Sequence, residues 1–257
     1  FKHQQNYYSD TNYYFITTDW GVGKRISSQP SLPSFNTVVN SFDDYDFYEK
    51  DLINPIRSGR EWLGETFSAV TDYNFIFAFP NLSSETPVSL RTVVAAKTTP
   101  QSAQSIFNVK LNGQNAGTIP VNGVSGVYTD TYALKNEATA TVPIATQTMN
   151  INIAFNKGNT GAQGWLDFME INVRRKLIVS GNQILFRDVN SVGNGTAKFQ
   201  LSNANSNIFV WDVTEQIYKL QAFVGSNGNG KTGIPLTFDS LLAHHLEIEK
   251  RIIIREI

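Results

Sequence analysis

Apolar and polar residues alternate along most of this chain with the period of two that a half-buried strand requires. Met149, Ile151, Ile153 and Phe155 share one parity, with Asn150, Asn152 and Ala154 between them. Phe107, Val109 and Leu111 alternate with Asn108 and Lys110, and Asn112-Gly113 follows. Asn-Gly supplies the positive φ angles of a two-residue hairpin turn, so residues 114–121 are expected to return as the partner strand. Phe75, Phe77 and Phe79 form a third row that ends at Pro80, and Val88, Leu90, Thr92 and Val94 form a fourth. Residues 165–179 read as one long strand, followed by shorter ones at 183–187, 197–201, 207–212 and 218–224. Near the end, Leu246, Ile248, Ile252 and Ile254 alternate with Glu247, Glu249, Arg251 and Arg255, again as in a strand. Clusters of Gly, Asn and Pro separate these segments at the spacing of a sandwich.

Helical signals are few. Residues 43–53 are the best case, because an acidic first turn suits the helix dipole and the helix must stop before Pro55. No internal repeat and no long linker is evident. Near Glu65 an irregular, aromatic segment gives way to regular strands. The expected organisation is therefore an N-terminal appendage (1–65), a β-sandwich (66–224), and a C-terminal loop and strand (225–257).

Composition narrows the function classes. The chain has 257 residues with 41% hydrophobic and 12% aromatic content, enough for a proper core. Only 17% are charged and the net charge is −1, which leaves no electrostatic footprint for nucleic acid or an anionic membrane. No apolar run approaches the roughly 18 residues of a membrane span. The first residues, Phe1-Lys2-His3-Gln4-Gln5, do not read as a signal peptide, as expected of a processed end or a piece of something longer. Zero cysteines exclude a disulfide framework, a thiolate metal site and a cysteine nucleophile within these residues. Low charge with Asn-, Thr- and Ser-rich strands leans towards an extracytoplasmic protein.

Four constellations carry possible chemistry. Gly225-Ser226-Asn227-Gly228-Asn229-Gly230-Lys231-Thr232 matches the letters of a phosphate-binding P-loop. That loop must open a helix whose amides face the phosphates, and Gly233-Ile234-Pro235 opposes one. Gly225, Gly230, Lys231 and Thr232 are therefore read as a false match, and no cofactor is expected. Asp43, Asp44 and Asp46, with Glu49 and Asp51 nearby, could contribute calcium ligands, but the run lacks the glycine and final glutamate of an EF-hand. A solvated acidic helix start is the preferred reading. Asp167 and Glu170 differ in parity, so in a regular strand they face apart and cannot act as a glycosidase pair. His3, His244 and His245 all lie near the ends, so the central strands hold no imidazole triad or metal site. Trp20, Trp62, Trp165 and Trp211 could form a sugar-stacking platform, although aromatics in sandwiches more often fill cores.

A set of short motifs points further. They are Tyr7-Tyr8-Ser9-Asp10-Thr11-Asn12-Tyr13-Tyr14-Phe15, Gly23-Lys24-Arg25-Ile26, Phe47-Tyr48-Glu49-Lys50-Asp51 and Ser58-Gly59-Arg60-Glu61-Trp62-Leu63-Gly64-Glu65. Gly164-Trp165-Leu166-Asp167-Phe168, Arg174-Arg175-Lys176-Leu177 and Val210-Trp211-Asp212-Val213-Thr214 follow in order. Together they resemble the region ahead of the peptidase domain in the type IX secretion system sortases, gingipain-like cysteine peptidases of the bacterial outer surface. The resemblance covers about residues 6–215, and the tail after Phe223 departs from it.

The resemblance implies an all-β fold, a jelly-roll sandwich like that of galactose-binding domains, with the irregular aromatic segment packed on it. It also implies a cell-surface or outer-membrane location. The complete proteins of that family remove a sorting domain from secreted cargo and join the cargo to an anionic lipopolysaccharide. Their catalytic cysteine and histidine lie beyond the matched region, so no catalytic residue carries over and this chain is expected not to be an enzyme by itself. Its expected partners are the peptidase domain of the parent protein, and beyond it secretion-system proteins and cargo. Tyr48, Arg60 and Trp62 are the expected docking residues, since aromatic anchors with arginine in a polar rim are what interfaces enrich. The alternative is a free-standing carbohydrate-binding or adhesive surface module.

Overall fold

In the computed structural model the described residues are 1–3, 21, 27–29, 34–57, 59–192, 196–204, 208–212, 221–223, 235–238 and 252–256. They form β1 (Ser27–Gln29), β2 (Thr37–Val39), β3 (Ser41–Glu49), β4 (Thr66–Phe67), β5 (Asp72–Ala78) and β6 (Val88–Lys97). Next come β7 (Gln104–Leu111), β8 (Gln114–Asn122), β9 (Leu134–Val142), β10 (Thr148–Asn156), β11 (Gln163–Lys176) and β12 (Gln183–Phe186). A 3-10 turn (Val189–Ser191) precedes β13 (Ala197–Gln200), β14 (Ile208–Asp212), β15 (Gln221–Phe223), β16 (Pro235–Phe238) and β17 (Ile252–Glu256). No helix among the described residues is long and apolar enough to cross a membrane.

The chain divides into two units, Phe1–Asn12 with Tyr45–Val173, and Tyr13–Asp44 with Arg174–Ile257. Glu65 falls inside the first. That unit is a β-sandwich. One sheet has the order β5-β10-β7-β8 and the other β3-β11-β6-β9, with β4 beside β11. Phe75, Phe77 and Phe79 point into the core while Ile76, on the opposite parity, is 74% exposed. Met149, Ile151, Ile153 and Phe155 join them, with Ile151 opposite Phe75 and Leu111 across its two neighbours. Burying such a row removes apolar surface worth about 1.5–3 kcal/mol per large side chain from water, which fixes the register. The Asn112-Gly113 turn forms as the dipeptide predicts: φ is 49° and 81°, and Leu111 pairs with Gln114 across it.

Phe67, Phe107 and Phe155 meet at the centre, Phe67 edge-on to Phe107 at 5.3 Å and Phe107 4.5 Å from Phe155. Gly164 on β11 makes room for them, since a Cβ there would lie 2.6 Å from Cζ of Phe107.

The helix expected at 43–53 does not form. Ser41–Glu49 is a strand instead, with Phe42 buried in its unit, Asp43 and Asp44 facing arginine, Asp46 exposed and Glu49 against His3. Helix-dipole logic loses here because the compensating cations come from β11, far along the chain.

The second unit holds a sheet ordered β1-β15-β14-β17-β12 and a smaller one ordered β16-β13-β2. Its core collects Val39, Phe42, Leu177, Phe186, Phe199 and Val210, with Phe186 5.3 Å from Phe199. The P-loop-like run at Gly225, Gly230, Lys231 and Thr232, together with Trp20, His244 and His245, lies outside the described residues.

Candidate functional site

In the first unit, the sheet face turned away from the sandwich core carries a set of buried and paired charges, and β11 organises it. Leu166, Met169 and Ile171 point into the core, an interval of three and then two. The irregular step is a β-bulge between Leu166 and Phe168, which places one extra residue, Asp167, against the regular β6 partners. The parity argument that set Asp167 and Glu170 on opposite faces therefore fails. The bulge shifts the count by one, and both carboxylates sit on the outer face, 5% and 4% exposed.

Each carboxylate has its own cation. The Lys135 ammonium on β9 donates to Asp167 Oδ2 at 3.1 Å and lies 4.0 Å from Glu61. Burial pushes the Asp167 carboxyl above the usual range, and the neighbouring Lys135 only partly opposes this. Asp167 Oδ1 has no hydrogen-bond partner among the described residues, and neither has the indole N–H of the buried Trp165. Glu170 lies 3.6 Å from Arg91, which itself donates to Glu137 at 2.6 Å and stacks 5.1 Å from the Phe168 ring. The His3 backbone N–H donates to Glu170, and the His3 ring contacts Glu49 and stacks on Phe47 at 4.6 Å. Burial also raises the Glu49 carboxyl, against the pull of His3. Separate cations hold the two carboxylates, Lys135 on Asp167 and Arg91 near Glu170.

Beside this network the outer face folds into a cleft of about 810 Å3. Its floor includes Leu63 and Ala95, which pack with Trp165 in a small cluster joined by Tyr132 and Ala133. One wall comes from the 55–63 segment with Ile56 and Glu61, the other from the 124–133 segment with Val127, Tyr128 and Asp130. Lys97 and Lys135 line it from the sheet, Lys97 lying 4.0 Å from the Tyr132 ring centre.

The residues singled out in the sequence are distributed as follows. Tyr48 packs on the core edge-on to Phe75 at 4.8 Å, and its hydroxyl donates to Glu65. Burial first, then the Glu65 hydrogen bond, raises that phenol above its ordinary value. Trp62 is 40% exposed, and Arg60 is exposed beside it. In the second unit, Asp43 accepts from Arg174 at 2.8 Å and from the Val189 backbone N–H at 2.8 Å, while Asp44 accepts from Arg175 at 2.6 Å. Asp46 Oδ1 accepts from the Phe47 backbone N–H in the first unit. The acidic run is thus divided between separate partners. Sequence reasoning missed the cleft, whose walls are two loops some seventy residues apart along the chain.

No family model matches this chain, and no curated protein does. By structure the class is all-β among the described residues, with a two-sheet sandwich in the first unit. The chain superposes on dimeric latent PorU from Porphyromonas gingivalis with a TM-score of 0.74 at 18% identity, over 89% of this chain and 22% of that one. It therefore spans about a fifth of the PorU chain, and shares the fold of that stretch. A carbohydrate-binding CBM36-1 domain of a xylanase from the Trinervitermes trinervoides hindgut metagenome overlaps half of this chain at 13% identity, with a TM-score of 0.34. That overlap is too slight to carry an argument.

Proposed function

We propose that this chain is a non-catalytic domain of a type IX secretion protein on the bacterial outer surface, where it scaffolds a cysteine peptidase domain of the same polypeptide. The observation that carries the reading is the superposition over 89% of the chain on one stretch of a much longer protein. The motifs that resemble the sortase family support it by where they fall. Gly164-Trp165-Leu166-Asp167-Phe168 builds the bulge and the floor cluster, and Arg174 and Arg175 meet Asp43 and Asp44. These positions are set by pairing across the fold. The chain has no cysteine, so the thiolate such chemistry needs must come from elsewhere in the protein.

The test has two parts. The reading frame that contains this chain should continue into a segment bearing a peptidase cysteine and histidine. That segment, produced separately, should co-elute with this chain, and Trp62→Ala should weaken the association. A frame without such a segment, or two pieces that never associate, refutes the scaffold reading and favours a free-standing surface module.

A further inference from the structure

We infer that the cleft between the 55–63 and 124–133 segments binds an extended polypeptide segment in which an apolar side chain is flanked by an acidic and a basic residue. This deepens the scaffold reading by giving the partner's chemistry, and it rests on that reading only for where the partner comes from.

Volume and lining set the class of occupant. At about 810 Å3 the cleft falls within the range of roughly 300–1,000 Å3 in which proteins bury compact ligands or short segments. Its walls mix aliphatic side chains with the rings of Tyr128 and Tyr132, and charged groups stand at both sides, a lining suited to a polypeptide that brings an apolar anchor together with charges. Leu63 and Ala95 close the floor, and Ile56 and Val127, each 57% exposed, stand at the rim. Tyr128 is 99% exposed, so its ring has almost no contact with the rest of the chain. Large apolar side chains left in water around one concavity mark a protein contact, and an aliphatic or aromatic anchor entering the cleft would dehydrate them.

The charges specify the flanks. Lys135 is occupied by Asp167 and approaches Glu61, so it offers little to a newcomer. Lys97 makes no ion pair among the described residues, and its ammonium lies over the face of Tyr132. Asp130 makes none either, and accepts a single hydrogen bond from the Ser125 hydroxyl. One uncommitted cation on the sheet side and one uncommitted anion on the loop side complement a dipolar segment, acidic towards Lys97 and basic towards Asp130.

The experiment uses the full 257-residue chain. A positional-scanning library of fluorescent octapeptides with a fixed central leucine is titrated by anisotropy. The expected selection is Asp or Glu on one side of the leucine and Lys or Arg on the other. Tyr128→Ala and Ile56→Asp, at exposed positions that leave the fold intact by circular dichroism, should weaken the selected peptides about tenfold. Lys97→Glu should reverse the preference at the acidic position only, and Asp130→Lys at the basic position only. A library without positional preference, selected peptides that bind Tyr128→Ala as well as the parent, or preferences unmoved by charge reversal would each overturn the proposal. Binding of neutral oligosaccharides in place of peptides would overturn it too. Peptide binding without association to the peptidase segment would retain the cleft and reject the scaffold reading. Association without any peptide selection would do the reverse.

Discussion

The Lys135 ammonium reaches Asp167 at 3.1 Å, yet the Asp167 carboxyl still lies above its usual range, because burial outweighs the one adjacent cation. A carboxyl whose folded value exceeds its unfolded value, near 3.9, contributes stability that is fully present below that unfolded value. The contribution is lost as pH rises through the folded value. Asp167→Asn removes this loss. Thermal melts of the two proteins should converge near pH 4, and the variant should gain on the parent as pH rises towards 7. A gain that shrinks with rising pH would show that Lys135 dominates over burial.

Arg174 closes a second network, in the other unit. Its guanidinium lies 2.5 Å from Asp188 and 2.8 Å from Asp43, and donates to the Ser41 hydroxyl at 3.0 Å. The Asp188 side chain is fully enclosed, so Arg174→Met strands a buried carboxylate. Losing one partner of such a pair costs about 3–5 kcal/mol. The loss should shrink at low pH, where Asp188 takes up a proton, and Asp188→Asn added to Arg174→Met should recover most of it. Urea unfolding midpoints of the single and double variants provide the measurement, and an unrecovered double variant would refute the account.

Gly164→Ala tests the packing of the sandwich. The new methyl would fall 2.6 Å from Phe107 and 3.0 Å from Phe155, both buried and immobilised by neighbours. Overpacking of this kind costs about 1–3 kcal/mol. Gly161→Ala, whose Cβ would meet nothing nearer than 3.6 Å, should cost far less in the same denaturation series.

Much of the first unit could be read from local pattern. Alternation placed Phe75, Phe77 and Phe79 and the Met149–Phe155 row on one face, and Asn112-Gly113 announced its own turn. What failed depended on partners remote in sequence. Asp43 and Asp44 look like a helix start until Arg174 and Arg175 are seen opposite them, each 131 residues away. Parity counting along β11 assumed an unbroken period of two, and a single bulged residue at Asp167 reversed it. Of the suggested docking residues, Tyr48 is half-buried with its ring against Phe75, while Arg60 and Trp62 are exposed. The cleft had no local signature at all, since neither wall is unusual until the fold brings both to one sheet face.

Two of the tryptophans, Trp62 and Trp165, illustrate the limit and supply the last test. Trp62 and Trp165 look equivalent in sequence, each among charged and apolar neighbours. In the structure Trp165 is 2% exposed behind Leu63 and Ala95, whereas Trp62 is 40% exposed. Removing a buried tryptophan costs the transfer energy of its ring plus the cavity left behind, about 3–5 kcal/mol, so Trp165→Ala should melt far below the parent. Trp62→Ala gives up much less burial, and its melting temperature should stay close to the parent value. If Trp62 docks the peptidase domain, the same variant should lose association with that domain while remaining folded. Full association of the Trp62→Ala chain would remove this residue from the interface. A melting temperature as low as that of Trp165→Ala would show that Trp62 belongs to the packing of the sandwich.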